Sequence, residues 1–216
     1  MERRFDTFIF DLDGTLLDTL PDLVSLTNRA LREEGFPERT EQEVLSFVGG
    51  GVQVLMRRAV PEGTDPAKVE EAVDRWRVLY SECGIALTKP YEGVVEVLSA
   101  LKERGKKLAV LSNKFDGGVQ DLMPLFFPDT FDAAHGESAD IPRKPDPTGL
   151  LFTMDEIGAD PETTAYVGDS GSDMQTARNA GVFALGVSWG YRPEEELLEE
   201  GADAIVRDPS GILGFS

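Results

Sequence analysis

Phe8-Ile9-Phe10-Asp11-Leu12-Asp13-Gly14-Thr15-Leu16-Leu17-Asp18 is the stretch on which the reading turns. Three apolar residues suit a short strand buried on both faces, as in the interior of a parallel sheet. The run then breaks into Asp-x-Asp-Gly-Thr, two carboxylates two residues apart followed by a turn residue. In extended backbone, positions i and i+2 point the same way, so both acids face one side. In open parallel sheets, sites form outside the carboxyl ends of the strands, which is where these acids fall.

Downstream of this stretch the pattern changes period. Leu20, Leu23, Leu26, Thr27, Ala30 and Leu31 recur at helical spacing until Gly35. Thr40 followed by Glu43 reads as a capping box, and Asp65-Pro66 as an N-cap with proline at the first helical position. Val69, Ala72, Val73, Trp76, Leu79 and Tyr80 then make an apolar stripe. From Val94 onward helices and strands alternate: a helix to Gly105, a strand over 107–111 running into Ser112, and a short strand at 131–133. A helix through Leu150–Ile157, a strand over 164–167, a helix at 174–180 and strands at 182–187 and 204–206 complete the pattern. Such alternation predicts an α/β, Rossmann-like parallel sheet with helices on both faces, interrupted by an α-helical insert. The expected division is a core of residues 1–17 and 88–216 and a helical cap of residues 18–87.

Composition narrows the chemistry. The 216 residues carry 40 acidic against 21 basic side chains, a formal net charge of −19, which disfavours nucleic-acid and membrane-surface partners. The longest uncharged runs, Val44–Met56 and Asn179–Tyr191, are too short for the ~17–25 residues of a membrane span. Arg3 and Arg4 precede too short an apolar run for a signal peptide. One cysteine, Cys83, excludes an internal disulfide and fits a cytoplasmic protein, while one histidine, His135, makes a Ser-His-Asp triad or a His-rich metal site improbable. Carboxylates, hydroxyls, lysine and backbone remain.

Three further features fall at strand ends or in a nearby loop: Ser112-Asn113-Lys114, Arg143-Lys144-Pro145-Asp146-Pro147 and Gly168-Asp169-Ser170-Gly171-Ser172-Asp173. Each has an ordinary structural reading as a turn or an N-cap. Together, in this order, they point to one crevice. Asp11, Asp13, Asp169 and Asp173 in one place need a cation, and an all-oxygen ligand set suits Mg²⁺. Magnesium and a lysine among carboxylates cradle a phosphoryl group. One carboxylate can then act as nucleophile and a second as acid and then base.

These residues resemble the haloacid dehalogenase superfamily, in particular its phosphoglycolate-phosphatase-like branch. FIFDLDGTLLD (Phe8–Asp18) and YVGDSGSD (Tyr166–Asp173) carry most of the resemblance, which extends over essentially the whole chain. It implies Asp11 as nucleophile, Asp13 as general acid/base, Lys144 as charge balance, and Ser112 with the backbone of Asn113 as phosphate ligands. It further implies Mg²⁺ on the Asp11 carboxylate, the Asp13 carbonyl and Asp169, with Asp173 in support. The insert matches a helical cap, and Gly49-Gly50-Gly51 its substrate-facing loop. The implied activity is hydrolysis of a small phosphorylated metabolite, with 2-phosphoglycolate leading, by a monomer or homodimer. Sugar phosphomutase and pyrophosphatase activities and a non-enzymatic phospho-acceptor module are the alternatives; Asp13 argues against a dehalogenase. Lys114, Arg57 and Arg58 are candidate contacts for a substrate carboxylate. Trp189-Gly190-Tyr191 reads as core rim or dimer contact.

Overall fold

A computed structural model describes residues 4–83 and 85–216; Arg3 and the side chain of Cys83 lie outside the described residues. In chain order the elements are β1 (Thr7–Phe10), β2 (Leu17–Asp18), α1 (Leu20–Glu33), α2 (Glu41–Phe47), α3 (Gly51–Ala59), α4 (Pro66–Cys83), β3 (Lys89–Pro90) and α5 (Val94–Glu103). They continue with β4 (Lys107–Phe115), α6 (Asp116–Phe126), β5 (Ala133–Glu137), α7 (Thr148–Ile157), β6 (Thr164–Gly168), α8 (Gly171–Ala180), β7 (Phe183–Val187), α9 (Glu194–Glu199) and β8 (Ala204–Val206).

Among the described residues one six-stranded sheet has the order β5-β4-β1-β6-β7-β8, with every pairing parallel. The α/β expectation therefore holds. Ile9, Ala109, Leu111, Tyr166 and Ala184 line one face and bury Leu150, Met154, Met174, Ala177 and Leu197 of α7, α8 and α9. Phe10, one position along from Ile9, points to the other face, where it lines a small cavity together with Val94, Val97 and Leu98 of α5. Central β1 pairs with β4 on one side and β6 on the other, so the chain order reverses across it. A crevice opens at such a switch point because the connections leave in opposite directions.

By its contacts the chain divides into two compact units, one of residues up to Asp18 with Pro90–Ser216, the other Thr19–Lys89. In the helical unit, Thr40 forms the capping box with Glu43, and Asp65 Oδ1 accepts from the N–H of Ala67 at 2.9 Å. The stripe Val69, Ala72, Val73, Trp76, Leu79 and Tyr80 is buried. Two strands of the sheet differ from the sequence reading by more than one residue at an end. β4 continues through Ser112-Asn113-Lys114 to Phe115 with a register irregularity after Leu111, because pairing with β5 resumes at Glu137. β5 lies at 133–137 instead of 131–133; the Asp132 carboxylate instead accepts from the N–H of Leu108 at 2.9 Å, just before pairing starts at Ala133.

Candidate active site

The Asp-x-Asp-Gly-Thr segment leaves β1 and turns at once: the N–H groups of Thr15, Leu16 and Leu17 all point at the carbonyl of Leu12. Gly14 adopts φ +90°, and a Cβ there would lie 2.4 Å from Asp169 Oδ2, so the position admits only glycine on both counts. That close approach sets the β1 turn against the end of β6. Thr15 Oγ1 donates to Asp169 Oδ1 at 2.9 Å.

Asp11 and Lys144 meet at 2.8 Å in the interior, and Lys144 Nζ also reaches Asp173 Oδ1 at 2.6 Å. The ammonium sits 5.7 Å over the Tyr166 ring, within cation–π range. Asn113 fixes the loop that delivers this lysine: its Oδ1 accepts from the Lys144 N–H at 2.7 Å and its Nδ2 donates to the Lys144 carbonyl at 3.4 Å. The Asn113 side chain thus belongs to the Lys144 loop, and a role for Asn113 toward phosphate rests on its backbone. Ser112 Oγ accepts from the N–H of Lys114 at 3.3 Å. Lys114 extends to Asp13, with Nζ 3.2 and 3.3 Å from its two carboxylate oxygens.

Asp173 combines both readings of its motif. Its Oδ2 accepts from the backbone N–H (3.0 Å) and hydroxyl (2.6 Å) of Ser170 at the start of α8, while Oδ1 faces Lys144 and lies 3.2 Å from the Tyr166 hydroxyl. Asp11, Asp169 and Asp173 each present an oxygen within 4.8 Å of the others, and all three are buried.

Burial pushes the Asp11 carboxyl up to about 7, with Lys144 opposing and Asp173 and Asp13 reinforcing. Asp169 is pushed up to about 8, first by burial and then by Asp11 and Asp173. Burial works against the Lys144 ammonium, but Asp11 and Asp173 outweigh it and hold the group well above its ordinary range. When fully ionised, Asp11, Asp13, Asp169 and Asp173 against Lys144 and Lys114 carry a net of two negative charges, which one divalent cation balances. All-oxygen donors of this kind fit Mg²⁺.

Trp189-Gly190-Tyr191, undecided from the sequence, closes the back of the site. Trp189 Nε1 donates to the Thr15 carbonyl at 3.0 Å, and the Tyr191 N–H donates to Asp169 Oδ2 at 2.8 Å. A Cβ on Gly190 would lie 2.2 Å from Asp169 Cβ and 2.4 Å from the Gly14 carbonyl. The sequence signal was a Gly between aromatics just after a strand, which specifies close backbone approach but not to what. Gly49, Gly50 and Gly51 form the corner between α2 and α3 in the helical unit, with positive φ at Gly49 and Gly51.

A parallel sheet with an aspartate-lined switch-point crevice and a buried lysine among the acids defines an α/β protein whose candidate catalytic site lies at the strand ends. The chain belongs to the haloacid dehalogenase-like hydrolases: the profile of that family matches residues 8–187. It is 36% identical over 213 residues to a phosphoglycolate phosphatase of Pseudomonas putida, covering 95% of this chain and 77% of that one. An N-acetylmuramic acid 6-phosphate phosphatase of Pseudomonas aeruginosa is 31% identical, with 97% and 94% covered. Among solved structures, a protein of Lactobacillus delbrueckii subsp. bulgaricus described as a phosphoglycolate phosphatase superposes with a TM-score of 0.91 at 31% identity, covering 97% of each chain. The chain is an enzyme, a phosphoglycolate phosphatase-like hydrolase of this family.

Proposed function

We propose that the protein is a Mg²⁺-dependent phosphatase that hydrolyses a small phosphate monoester of the 2-phosphoglycolate type through a phosphorylated Asp11. The observation that carries this reading is the meeting of Asp11 and Asp169, at the ends of adjacent strands, with Lys144 from the loop before α7 and with Asp13 two residues from Asp11. The carboxylates of Asp11 and Asp169 and the backbone carbonyl of Asp13 would hold the cation, and when bound it neutralises the phosphoryl oxygens and the carboxylates together. Both oxygens of Asp173 already meet protein groups, which supports a role in holding Lys144 and the start of α8.

In the first step an Asp11 oxygen attacks phosphorus, the bond from phosphorus to the ester oxygen breaks, and Asp13 protonates the departing alkoxide. In the second, Asp13 takes a proton from water, that water attacks phosphorus, and the acyl-phosphate bond breaks to restore Asp11. Lys144, anchored by Asp173 and the Asn113 clasp, stays beside Asp11 through both steps and offsets charge on the phosphoryl oxygens. Ser112 and the backbone of Asn113 contribute phosphate contacts from the end of β4. The net charge of −19 and the single cysteine support a cytoplasmic enzyme of small metabolites.

A single turnover in ¹⁸O-water tests the intermediate. The label is expected on Asp11, because the first new oxygen on phosphate comes from the carboxylate. Label wholly in inorganic phosphate would mean direct attack by water, and normal turnover by Asp11→Asn would remove Asp11 as nucleophile.

A further inference from the structure

Among the described residues, Lys114 is a buried cation of the crevice that the scheme above leaves without a task. It stands two residues beyond Ser112 on β4, its side chain is 6% exposed, and its ammonium contacts both oxygens of Asp13, which is 17% exposed. A buried ammonium costs several kcal/mol unless a charge partner compensates it, so its position is specific. The two lysines of the site have different addresses. Lys144 lies against Asp11, where phosphorus must arrive; Lys114 lies against Asp13, which must reach the ester oxygen to protonate it. A cation touching both Asp13 oxygens therefore flanks the substituent carried by that ester oxygen.

We propose that Lys114 determines specificity for the leaving group by selecting phosphate esters whose alcohol carries a carboxylate next to the ester carbon. The proposal rests on the phosphatase reading of the site and narrows it to a substrate class. One ammonium matches one negative charge, and lysine's rotatable donors allow it to change partner without moving its backbone. A substrate carboxylate accepts from Lys114 and takes the place of Asp13, which, released from the ammonium, takes up a proton from solvent and turns its carboxyl to the ester oxygen. An ester with a neutral alcohol leaves Lys114 on Asp13 and keeps the acid away from the oxygen it must protonate. The same ion pair thus favours one class and disfavours the other.

Steady-state kinetics of the Mg²⁺-loaded full chain with 2-phosphoglycolate and with ethyl phosphate, the same skeleton lacking the carboxylate, test this. The wild type is expected to prefer 2-phosphoglycolate by about tenfold or more in kcat/KM, a difference of about 1.4 kcal/mol. Lys114→Met should erase most of that preference, and Lys114→Arg should retain part of it. Equal losses on both esters, with the preference intact, would overturn the proposal and reduce Lys114 to positioning Asp13. Independently of any variant, glycolate should inhibit the wild type competitively and ethanol at equal concentration should not; glycolate without effect also counts against it. A wild type that hydrolyses both esters equally defeats the proposal and leaves the phosphatase reading standing. A wild type inactive on both and on acetyl phosphate defeats that reading itself.

Discussion

Asp13 has a carboxylate partner chemistry unlike that of Asp11, and the difference decides what each substitution does. Asp11 is buried against Lys144 and pushed toward neutrality, whereas Asp13 is more accessible and pairs with Lys114. On the proposed mechanism, Asp13→Asn removes the transferable proton but keeps shape and hydrogen-bonding capacity. It should therefore lower kcat by about 10²–10⁴-fold while phosphate affinity stays near that of the wild type, read by steady-state rates and inorganic phosphate inhibition. At this scale the sequence was informative about identity and poor about partners. The D-x-D spacing marked both acids as facing one way, but a lysine 101 positions along the chain from Asp13 leaves no local pattern. Asn113 is the same case: next to Ser112 its backbone reads as a phosphate contact, and nothing local shows that its side chain hydrogen-bonds to the backbone of Lys144.

Elements place these residues through close approaches that short polar segments make possible. The loop after β7 is built on Gly190, whose missing side chain lets the backbone lie on Asp169. Gly190→Ala should push Asp169 out of place and weaken Mg²⁺ binding by about 10–100-fold, the usual cost of disturbing the groups that orient a metal ligand. Calorimetric Mg²⁺ titration checks it; unchanged affinity would mean the loop yields without moving Asp169. In the helical unit, Asp22 in the first turn of α1 accepts from the backbone N–H groups of Ala86, Leu87 and Thr88 and from the Thr88 hydroxyl. This carboxylate ties the segment after α4 to the start of α1. Asp22→Ala leaves those donors without a buried acceptor and should destabilise the protein by about 3 kcal/mol, read as a lower urea midpoint.

For the whole molecule the governing quantity is the charge of the crevice. Asp11 and Asp169 have folded-state values raised to about 7 and about 8, so the metal-free folded protein holds protons that the unfolded chain releases. Their contribution to stability is complete below about pH 4 and is lost as pH rises through those values. With a chelator present, the melting temperature should fall from about pH 5 to about pH 8. Saturating Mg²⁺ should remove much of that fall, because a ligand bound only by the folded state stabilises it by mass action, about 2.7 kcal/mol at 100 times its Kd. Scanning calorimetry at several pH values with and without Mg²⁺ is the measurement. A chelated protein whose melting temperature is flat across this range would show that the carboxylates do not compete for charge. Among the described residues no helix is long and apolar enough to cross a membrane, in line with the short uncharged runs of the sequence.

What the sequence by itself determined is whatever depends on neighbours along the chain. The buried run Phe8–Phe10, the helical stripe of α4, the cap at Thr40 and the alternation after Val94 are periodic or local signals, and backbone geometry turns each directly into a strand, a helix or a cap. Those elements imply a parallel sheet, and the sheet implies that acids ending β1 and β6 share a crevice. Only the tertiary structure decided how that crevice is balanced: Lys144 between Asp11 and Asp173, Lys114 on Asp13, Asn113 on the Lys144 backbone, and Gly190 against Asp169. Ion pairs and close backbone approaches act through space over a few ångströms, between residues that the chain separates by dozens of positions. Their energies depend on burial, which no single stretch of sequence encodes.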